Sequence, residues 1–197
     1  MVPELGRLFA SVRQCARCPG MGCPPVLSPA NGPAGATVLV VGEAPGRFGA
    51  GRTGVPFSGD TAGRRFEALL GAAGFARERV FVTNAVLCLP LDASGRNRRP
   101  AAIETANCAS WLSVTIEAVK PQLVVGMGAV ALTSLNRIER HGLTVASAGE
   151  PPVAWRGARL AAVYHPAARS AAHRPWECQL SDWARLGAWS RCREQPQ

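Results

Sequence analysis

Residues 37–46 read TVLVVGEAPG, and this stretch decides the fold. Its first half, up to Val41, is a continuous apolar run typical of a strand buried on both faces of a parallel sheet. Its second half is a turn with two glycines, a proline and the carboxylate of Glu43. A buried strand that ends in such a turn predicts an α/β fold with polar groups at the strand's carboxyl end.

Three further apolar runs have the same character, and stretches with helical spacing separate them. The runs cover residues 80–82, 123–125 and 160–163, and the helical stretches cover 64–73, 103–119 and 129–137. Strands that alternate with helices predict a central, mainly parallel sheet sandwiched by helices.

Both ends of the chain carry helical patterns as well. Apolar residues recur at helical spacing near the start (Leu5, Leu8, Phe9, Val12) and near the end (Trp176, Leu180, Trp183, Leu186). We expect a single domain over residues 1–197. It comprises an N-terminal helix and cysteine-bearing loop (1–36), a core (37–170) and a C-terminal helix (171–197).

Length and composition exclude several classes of protein. The 197 residues are 47% hydrophobic and only 18% charged, which is enough to build a core and argues against disorder. No run approaches the roughly 18 apolar residues of a membrane helix, and the N-terminus lacks a signal-peptide pattern. We therefore expect a cytoplasmic protein with no membrane partner.

The charge of the chain is strongly positive. It has 22 basic and 13 acidic residues, a net charge of +9, and only one lysine, Lys120. Arginine binds phosphates through its planar fork, so this excess suggests a polyanionic partner. The alternative is a genome whose base composition favours arginine codons.

Polar residues follow several of the predicted strands. Glu43 follows the first strand, Asn84 the second and His165 the fourth, so their side chains are expected at one edge of the sheet. The amide of Asn84 is suited to reading one edge of a nucleobase. The alternatives are a turn asparagine that bonds its own backbone and a structural histidine.

Residues 52–63, RTGVPFSGDTAG, form the most distinctive loop. Asp60 is placed to cap the following helix, a role that does not exclude catalysis. Phe57 stands between a proline and a Ser-Gly pair, so its ring is available to stack on a flat ligand. The glycine turn at 42–46 matches neither dinucleotide-binding nor P-loop patterns.

The seven cysteines suggest a metal site, because an odd count without an export signal does not suit a disulfide framework. A C-x-x-C pair and two distant singles supply four thiolates: Cys15, Cys18, Cys88 and Cys108. Such a set suits either a tetrahedral zinc ion or a [4Fe-4S] cluster. Cys23 is a rival fourth ligand, and Cys178 and Cys192 are expected to be free thiols or small buried residues.

Taken together and in this order, the motifs resemble those of the iron-sulfur uracil-DNA glycosylases of families four and five. The matching pieces are Cys15-x-x-Cys18, residues 42–46 (GEAPG), 53–57 (TGVPF), 83–88 (TNAVLC), Cys108 and His165-Pro166. The resemblance implies a uracil-DNA glycosylase fold and a monomer acting on uracil-containing DNA, single- or double-stranded. It also implies a structural [4Fe-4S] cluster on Cys15, Cys18, Cys88 and Cys108, with zinc as the alternative.

The resemblance further implies that the enzyme hydrolyses the N-glycosidic bond of a flipped deoxyuridine. Phe57 would stack on the uracil, Asn84 would bond its pyrimidine edge and His165 would donate to O2. The turn residues Gly42, Ala44, Pro45 and Gly46 would complete the pocket.

A carboxylate would orient the attacking water, and two are available. Residues 42–46 with Glu43 match family four, whereas residues 59–63 with Asp60 resemble family five, so we expect Asp60 to act, with Glu43 second. Residues 47–49 lack the acidic residues with which family four helps to exclude thymine, so the resemblance does not predict discrimination against thymine. The likeness of residues 59–63 to family five implies other deaminated bases as further substrates. The insertion of covalently trapping relatives is absent, which predicts turnover.

The DNA contacts are expected to come from arginines. Arg169 is the candidate for a wedge or phosphate contact, and Arg52, Arg98 and Arg99 are candidates for a solvated, DNA-facing patch. Two other functions remain open on the sequence. They are a non-catalytic, metal-braced DNA-binding module and a nucleotide-binding α/β enzyme that uses residues 42–46.

Overall fold

Five strands form one sheet in the computed structural model, which describes residues 3–192. They are β1 (Val38–Gly42), β2 (Val80–Asn84), β3 (Leu123–Met127), β4 (Val153–Trp155) and β5 (Ala158–Val163). Their order across the sheet is β2-β1-β3-β5-β4; β4 is antiparallel to β5 and the other pairs are parallel. The predicted mainly parallel sheet is therefore confirmed.

Six helices surround the sheet: α1 (Pro3–Arg13), α2 (Ala50–Thr53), α3 (Thr61–Ala73), α4 (Ala102–Val119), α5 (Ala129–Ile138) and α6 (Trp176–Arg191). Side chains alternate along β1, so Leu39 and Val41 pack with α1, α4 and α5, while Val38 and Val40 pack with α3 and α6. The prediction of helices on both faces is confirmed. No helix within residues 3–192 is long and apolar enough to cross a membrane.

Strand β1 lies between β2 and β3, so the chain adds β2 on one side of β1 and β3 on the other side. This arrangement opens a crevice at the carboxyl ends of the parallel strands, where α/β proteins bind their ligands. The segment after β1 (43–49), the end of β2 and the segment after β5 (164–167) meet there. The fold thus gathers the polar residues that follow the strands at one edge.

Candidate active site

A cavity of about 170 Å³ opens at the carboxyl ends of β1, β2 and β5. Fourteen residues line it: Glu43, Ala44, Pro45, Gly46, Ala50, Phe57, Asp60, Ala62, Asn84, Pro90, Asn97, Arg98, His165 and Ala167. The four predicted catalytic residues, Glu43, Asp60, Asn84 and His165, are all among them. The sheet therefore brings the predicted site residues into one cavity.

Asn84 is the last residue of β2 and lies in the wall of the cavity, where it is buried. Its partner in the β1–β2 register is Gly42, and a β-carbon on Gly42 would come within 2.5 Å of the Asn84 Oδ1 atom. Within residues 3–192 the side-chain amide of Asn84 has no hydrogen-bond partner. Buried amides are normally bonded, so this one is available to a ligand in the cavity.

Phe57 forms another wall of the cavity, in an unusual backbone conformation. Its φ angle is +52°, in the left-handed region that a bulky residue rarely adopts. Gly63 of α3 packs closely against this turn: a β-carbon on Gly63 would collide with the carbonyl group of Phe57. Its ring centroid lies 4.6 Å from that of Phe66, which contacts buried Trp183 edge-on. The ring at the cavity wall is thus backed by aromatic residues of the core.

His165 lies just after β5, with its ring centroid 5.7 Å from that of Phe57. The backbone N–H of Ala167 donates to its Nδ1 atom at 3.1 Å. A backbone N–H can only donate, so Nδ1 acts as the acceptor and the neutral imidazole carries its proton on Nε2. The local turn therefore prepares His165 to donate a hydrogen bond through Nε2.

Asp60 caps a helix and also lines the cavity. Its Oδ1 atom accepts from the backbone N–H of Gly63 at 2.8 Å and caps α3. Its Oδ2 atom faces the turn after β1, where a β-carbon on Gly49 would lie 2.6 Å away and one on Gly46 3.5 Å away. One oxygen is thus used by the helix, while the other lies beside the glycines of the turn after β1.

Glu43 follows β1 directly and is half-buried in the cavity lining. The turn that carries it is tied to the next strand, because the N–H of Val86 donates to the Glu43 carbonyl at 3.1 Å. Both candidate carboxylates therefore border the same cavity.

The cavity also contains residues that the sequence patterns did not single out. The main one is Asn97, whose Oδ1 atom accepts from the N–H of Arg47 at 3.1 Å and so joins two loops. Pro90, Ala50, Ala62 and Ala167 add apolar surface. The adjacency of Asn97 to Arg98 was visible in the sequence, but the way its loop folds back onto residues 46–49 was not.

Arg98, a candidate for the solvated, DNA-facing patch, is paired with an acidic residue of α4 in the structure. Its guanidinium makes two hydrogen bonds to the carboxylate of Glu104, at 2.8 and 2.5 Å, and its Nε atom donates to the carbonyl of Leu91. Glu104 is 8% exposed and accepts from the N–H of Ala101 as well. Arg98 therefore lines the cavity because an ion pair with α4 holds it there.

The other predicted DNA contacts have different surroundings. Arg52 and Arg99 are exposed, as a contact to DNA requires. The backbone of Arg169 lies in a short helical turn, Ala168–Ala172, after His165. The Arg169 side chain lies outside the part of the chain that the structure describes.

The predicted cysteine ligands come from three separate elements. Cys15 and Cys18 follow α1, Cys88 follows β2 and Cys108 lies on α4. The loop carrying the first two is held on α4, where Trp111 Nε1 donates to the sulfur of Cys15 at 3.4 Å. Asn107 Nδ2 donates to the sulfur of Cys18 at 3.5 Å, and Arg17 bonds back to the Asn107 carbonyl at 3.0 Å.

The thiols lie within electrostatic range of one another. The pKa of Cys88 is raised to about 12, first by burial and then by the neighbouring thiols of Cys108, Cys23, Cys15 and Cys18. Burial also raises the pKa of Cys108 and of Cys23. Within residues 3–192, no three cysteine, histidine or acidic side chains form a ready group for a single metal ion.

The crevice of this open α/β sheet holds an amide, a histidine and two carboxylates, a set of groups typical of an enzyme active site. Residues 29–191 match the family model described as the uracil DNA glycosylase superfamily. This chain belongs to that superfamily. The predicted resemblance and its fold are confirmed.

Relatives of two types are similar to the chain. A type-5 uracil-DNA glycosylase from Pyrobaculum aerophilum is 36% identical over 70% of this chain and 64% of its own length. A type-4 uracil-DNA glycosylase from Thermotoga maritima is 30% identical, over 79% and 77% of the two chains. A type-4 enzyme from Pyrobaculum aerophilum is also 30% identical, over 84% of each chain. At the level of the family, the prediction of a DNA-repair glycosylase, and hence of a hydrolase, is confirmed.

Proposed function

We propose that this protein excises uracil from DNA by hydrolysing the bond between uracil N1 and deoxyribose C1′. The observation that carries this proposal is the cavity itself, which combines Phe57, Asn84, His165 and two carboxylates. Its volume of about 170 Å³ lies below the roughly 300–1,000 Å³ typical of pockets for drug-sized ligands. A cavity of this size suits one nucleobase extruded from the stack.

Recognition of the base falls to Phe57 and Asn84. The ring of Phe57 offers a flat face on which uracil stacks, and its core contacts hold that face in position. The Asn84 amide donates to uracil O4 and accepts from uracil N3–H. Burial makes this pairing selective, because a base with the wrong pattern leaves the amide unpaired.

His165 stabilises the leaving group. As the C1′–N1 bond breaks, its electron pair moves onto the uracil ring and negative charge collects at O2. The Nε2–H of a neutral His165 donates to that oxygen, because Nδ1 already accepts from Ala167. A donor fixed before the reaction stabilises the developing charge without reorganisation.

The attacking water requires a carboxylate. We assign it to Asp60, which lines the cavity and whose Oδ1 atom is fixed by the helix cap. The water oxygen bonds to C1′ and its proton passes to the carboxylate, whose negative charge also favours the cationic sugar. Glu43, across the same cavity, is the second candidate.

The thiols of Cys15, Cys18, Cys88 and Cys108 would hold a [4Fe-4S] cluster, which would brace the N-terminal loop against α4. The donor chemistry fits, since thiolates are the usual ligands and N–H groups of Trp111 and Asn107 point at two sulfurs. A single zinc ion would need its sulfurs about 3.8 Å apart, closer than a cluster requires. Cys23 is the reserve candidate for the fourth ligand, given its effect on Cys88.

Uracil-containing DNA is the proposed partner, bound by a monomer that accepts single or double strands. Exposed Arg52 and Arg99 would contact phosphates beside the cavity, and Arg169 would enter the space that the flipped base leaves.

An oligonucleotide assay tests the proposal. Oligonucleotides with a single uracil, hypoxanthine, xanthine or mispaired thymine are incubated with the protein and then with alkali, which cuts at abasic sites. We expect cutting at uracil, a loss of at least tenfold in Asp60→Ala and a smaller loss in Glu43→Ala. Binding without cutting at any base would instead indicate a non-catalytic DNA-binding module.

A further inference from the structure

Phe48 is the aromatic residue that the fold leaves in water. The chain has six phenylalanines, five tryptophans and one tyrosine, all within the described residues 3–192, and among them only Phe48 is exposed, at 63%. Single exposed apolar residues are common on protein surfaces, so exposure alone assigns no role. The position and the surroundings of the ring are what matter.

The turn that presents Phe48 is held on both sides. The N–H of Arg47 donates to Asn97 Oδ1 at 3.1 Å, and the Arg47 guanidinium donates to the carbonyl of Gly95 at 2.9 Å. Further N–H groups of the turn donate to the carbonyl of Gly46. Because these hydrogen bonds hold the backbone of the turn, Phe48 keeps a defined place on the surface and loses little conformational freedom when it binds.

The same turn forms the rim of the cavity. Gly46, two positions before Phe48, and Ala50, two positions after it, both line the cavity. The Phe48 carbonyl lies 3.4 Å from the place that a β-carbon of Gly59 would take, next to Asp60. Phe48 therefore lies on a turn whose flanking residues line the cavity.

The charges around the ring are positive. The guanidinium carbon of Arg47 lies 5.1 Å from the centroid of the Phe48 ring. Arg47 and Arg52 are both exposed and both lie on this stretch. A ring with one guanidinium group beside it and a second exposed arginine four positions further on suits a stacked base with phosphates nearby, as in proteins that bind single strands.

We propose that Phe48 stacks on the nucleobase next to the flipped nucleotide, while Arg47 and Arg52 hold the adjoining phosphates. The inference rests on the proposed function, because extruding a base exposes the face of its neighbour at the cavity entrance. A protein partner would require more apolar surface than one ring. The other large apolar residues exposed in residues 3–192, Ile103 and Val114, belong to α4 instead of this turn.

A cycle that combines a protein change with a DNA change tests the stacking. The probe is an oligonucleotide whose uracil nucleotide carries a 2′-fluoro group that prevents cleavage, with either natural neighbours or an abasic analogue on the 5′ or 3′ side. Binding is measured by fluorescence anisotropy. We expect Phe48→Ala to weaken binding on the order of tenfold, and one of the abasic neighbours to weaken wild-type binding equally. Combining the two changes should weaken binding no further, and Phe48→Trp should restore it.

Ile103→Ala is the matched control, because Ile103 is equally exposed, at 66%, and lies outside the cavity. It should bind like the wild type, and all variants should keep the wild-type melting temperature. The stacking would be overturned if the affinity losses from the protein change and the DNA change multiplied when combined. It would also be overturned if Phe48→Ala bound like Ile103→Ala. If the wild type releases no uracil from a cleavable oligonucleotide, the proposed function fails instead, so the two failures are distinguishable.

Discussion

The cavity and the cysteine region are both assembled from distant parts of the sequence, but different forces hold them. Around the cavity, strand ends, a helix cap and buried aromatic rings position Asn84, Asp60 and Phe57. In the cysteine region, a loop carrying Cys15 and Cys18 lies on α4 through a few side-chain bonds.

This difference indicates which region depends on a bound group. The cavity is prepared before any ligand arrives, as an electrostatic catalytic site requires. The cysteine region brings together thiols whose pKa values are raised by burial and by the neighbouring thiols. Thiols release protons when they bind metal, so the order of this region is expected to depend on the proposed cluster.

The largest effect is expected when the cavity loses either of the two side chains that we propose to hydrogen-bond the base. His165→Ala or Asn84→Ala should lower the rate of uracil release by about 10²–10³-fold, because a fixed partner of the leaving base is removed. Single-turnover kinetics would measure this rate. The melting temperature should change little.

Asn31→Ala is the control for that change. Asn31 is also a buried asparagine beside β2, but its amide donates to the carbonyl of Val82 at 2.7 Å. This variant should lose about 1–3 kcal/mol of unfolding free energy and keep its rate of uracil release at low temperature. Equal kinetic losses in the two asparagine variants would contradict the assignment of Asn84 to the substrate.

The second effect concerns the cysteine region. Cys108→Ala should abolish the absorbance near 400 nm that an iron-sulfur cluster gives to anaerobically purified protein, and should lower the unfolding free energy by several kcal/mol. Cys178→Ala, outside the set, should leave both unchanged. Iron content and thermal unfolding provide the measurements, and a colourless wild type that carries zinc would refute the cluster.

The sequence predicted most of the fold and the principal cavity residues, because periodic apolar residues and strand-end motifs are local signals. Strand β4 was missed, since three residues after two prolines carry too little pattern. The role of Arg98 was missed for another reason. Its partner Glu104 lies across a turn, and only the folded loop shows that the two side chains meet.

A smaller effect is expected where the two regions are joined, at the Arg98–Glu104 pair. Glu104 lies one helical turn before Cys108, while Arg98 lines the cavity. Glu104→Gln should lower the unfolding free energy by about 2 kcal/mol, because it leaves Arg98 without its charged partner. It should also raise KM more than it lowers kcat if the pair positions the cavity wall.

The pH dependence of this pair has a definite sign. Hydrogen bonding from Arg98 lowers the pKa of Glu104 in the folded state, so the unfolded chain takes up the proton first as pH falls. The stabilisation is complete above about pH 4.3 and is lost as pH falls through the lowered pKa. Urea unfolding between pH 3 and 7 should therefore show a shallower acid loss in Glu104→Gln. A slope equal to that of the wild type would contradict the coupling.

The smallest effect is expected from the exposed arginines Arg52 and Arg99. Arg52→Ala or Arg99→Ala should reduce the slope of log affinity against log salt by about 1, the loss of one phosphate contact. Arg79→Ala is the control, because this exposed arginine precedes β2 and so lies at the opposite edge of the sheet. An equal change in all three variants would indicate nonspecific attraction by the net charge.

Direct detection of the released base tests the central claim most closely. The wild-type protein is incubated with a single-stranded oligonucleotide containing one uracil, and the small molecules are separated by chromatography. The account predicts free uracil in an amount equal to the abasic DNA formed, and none from the same oligonucleotide with cytosine. Tight binding that leaves every uracil attached to its sugar would contradict it.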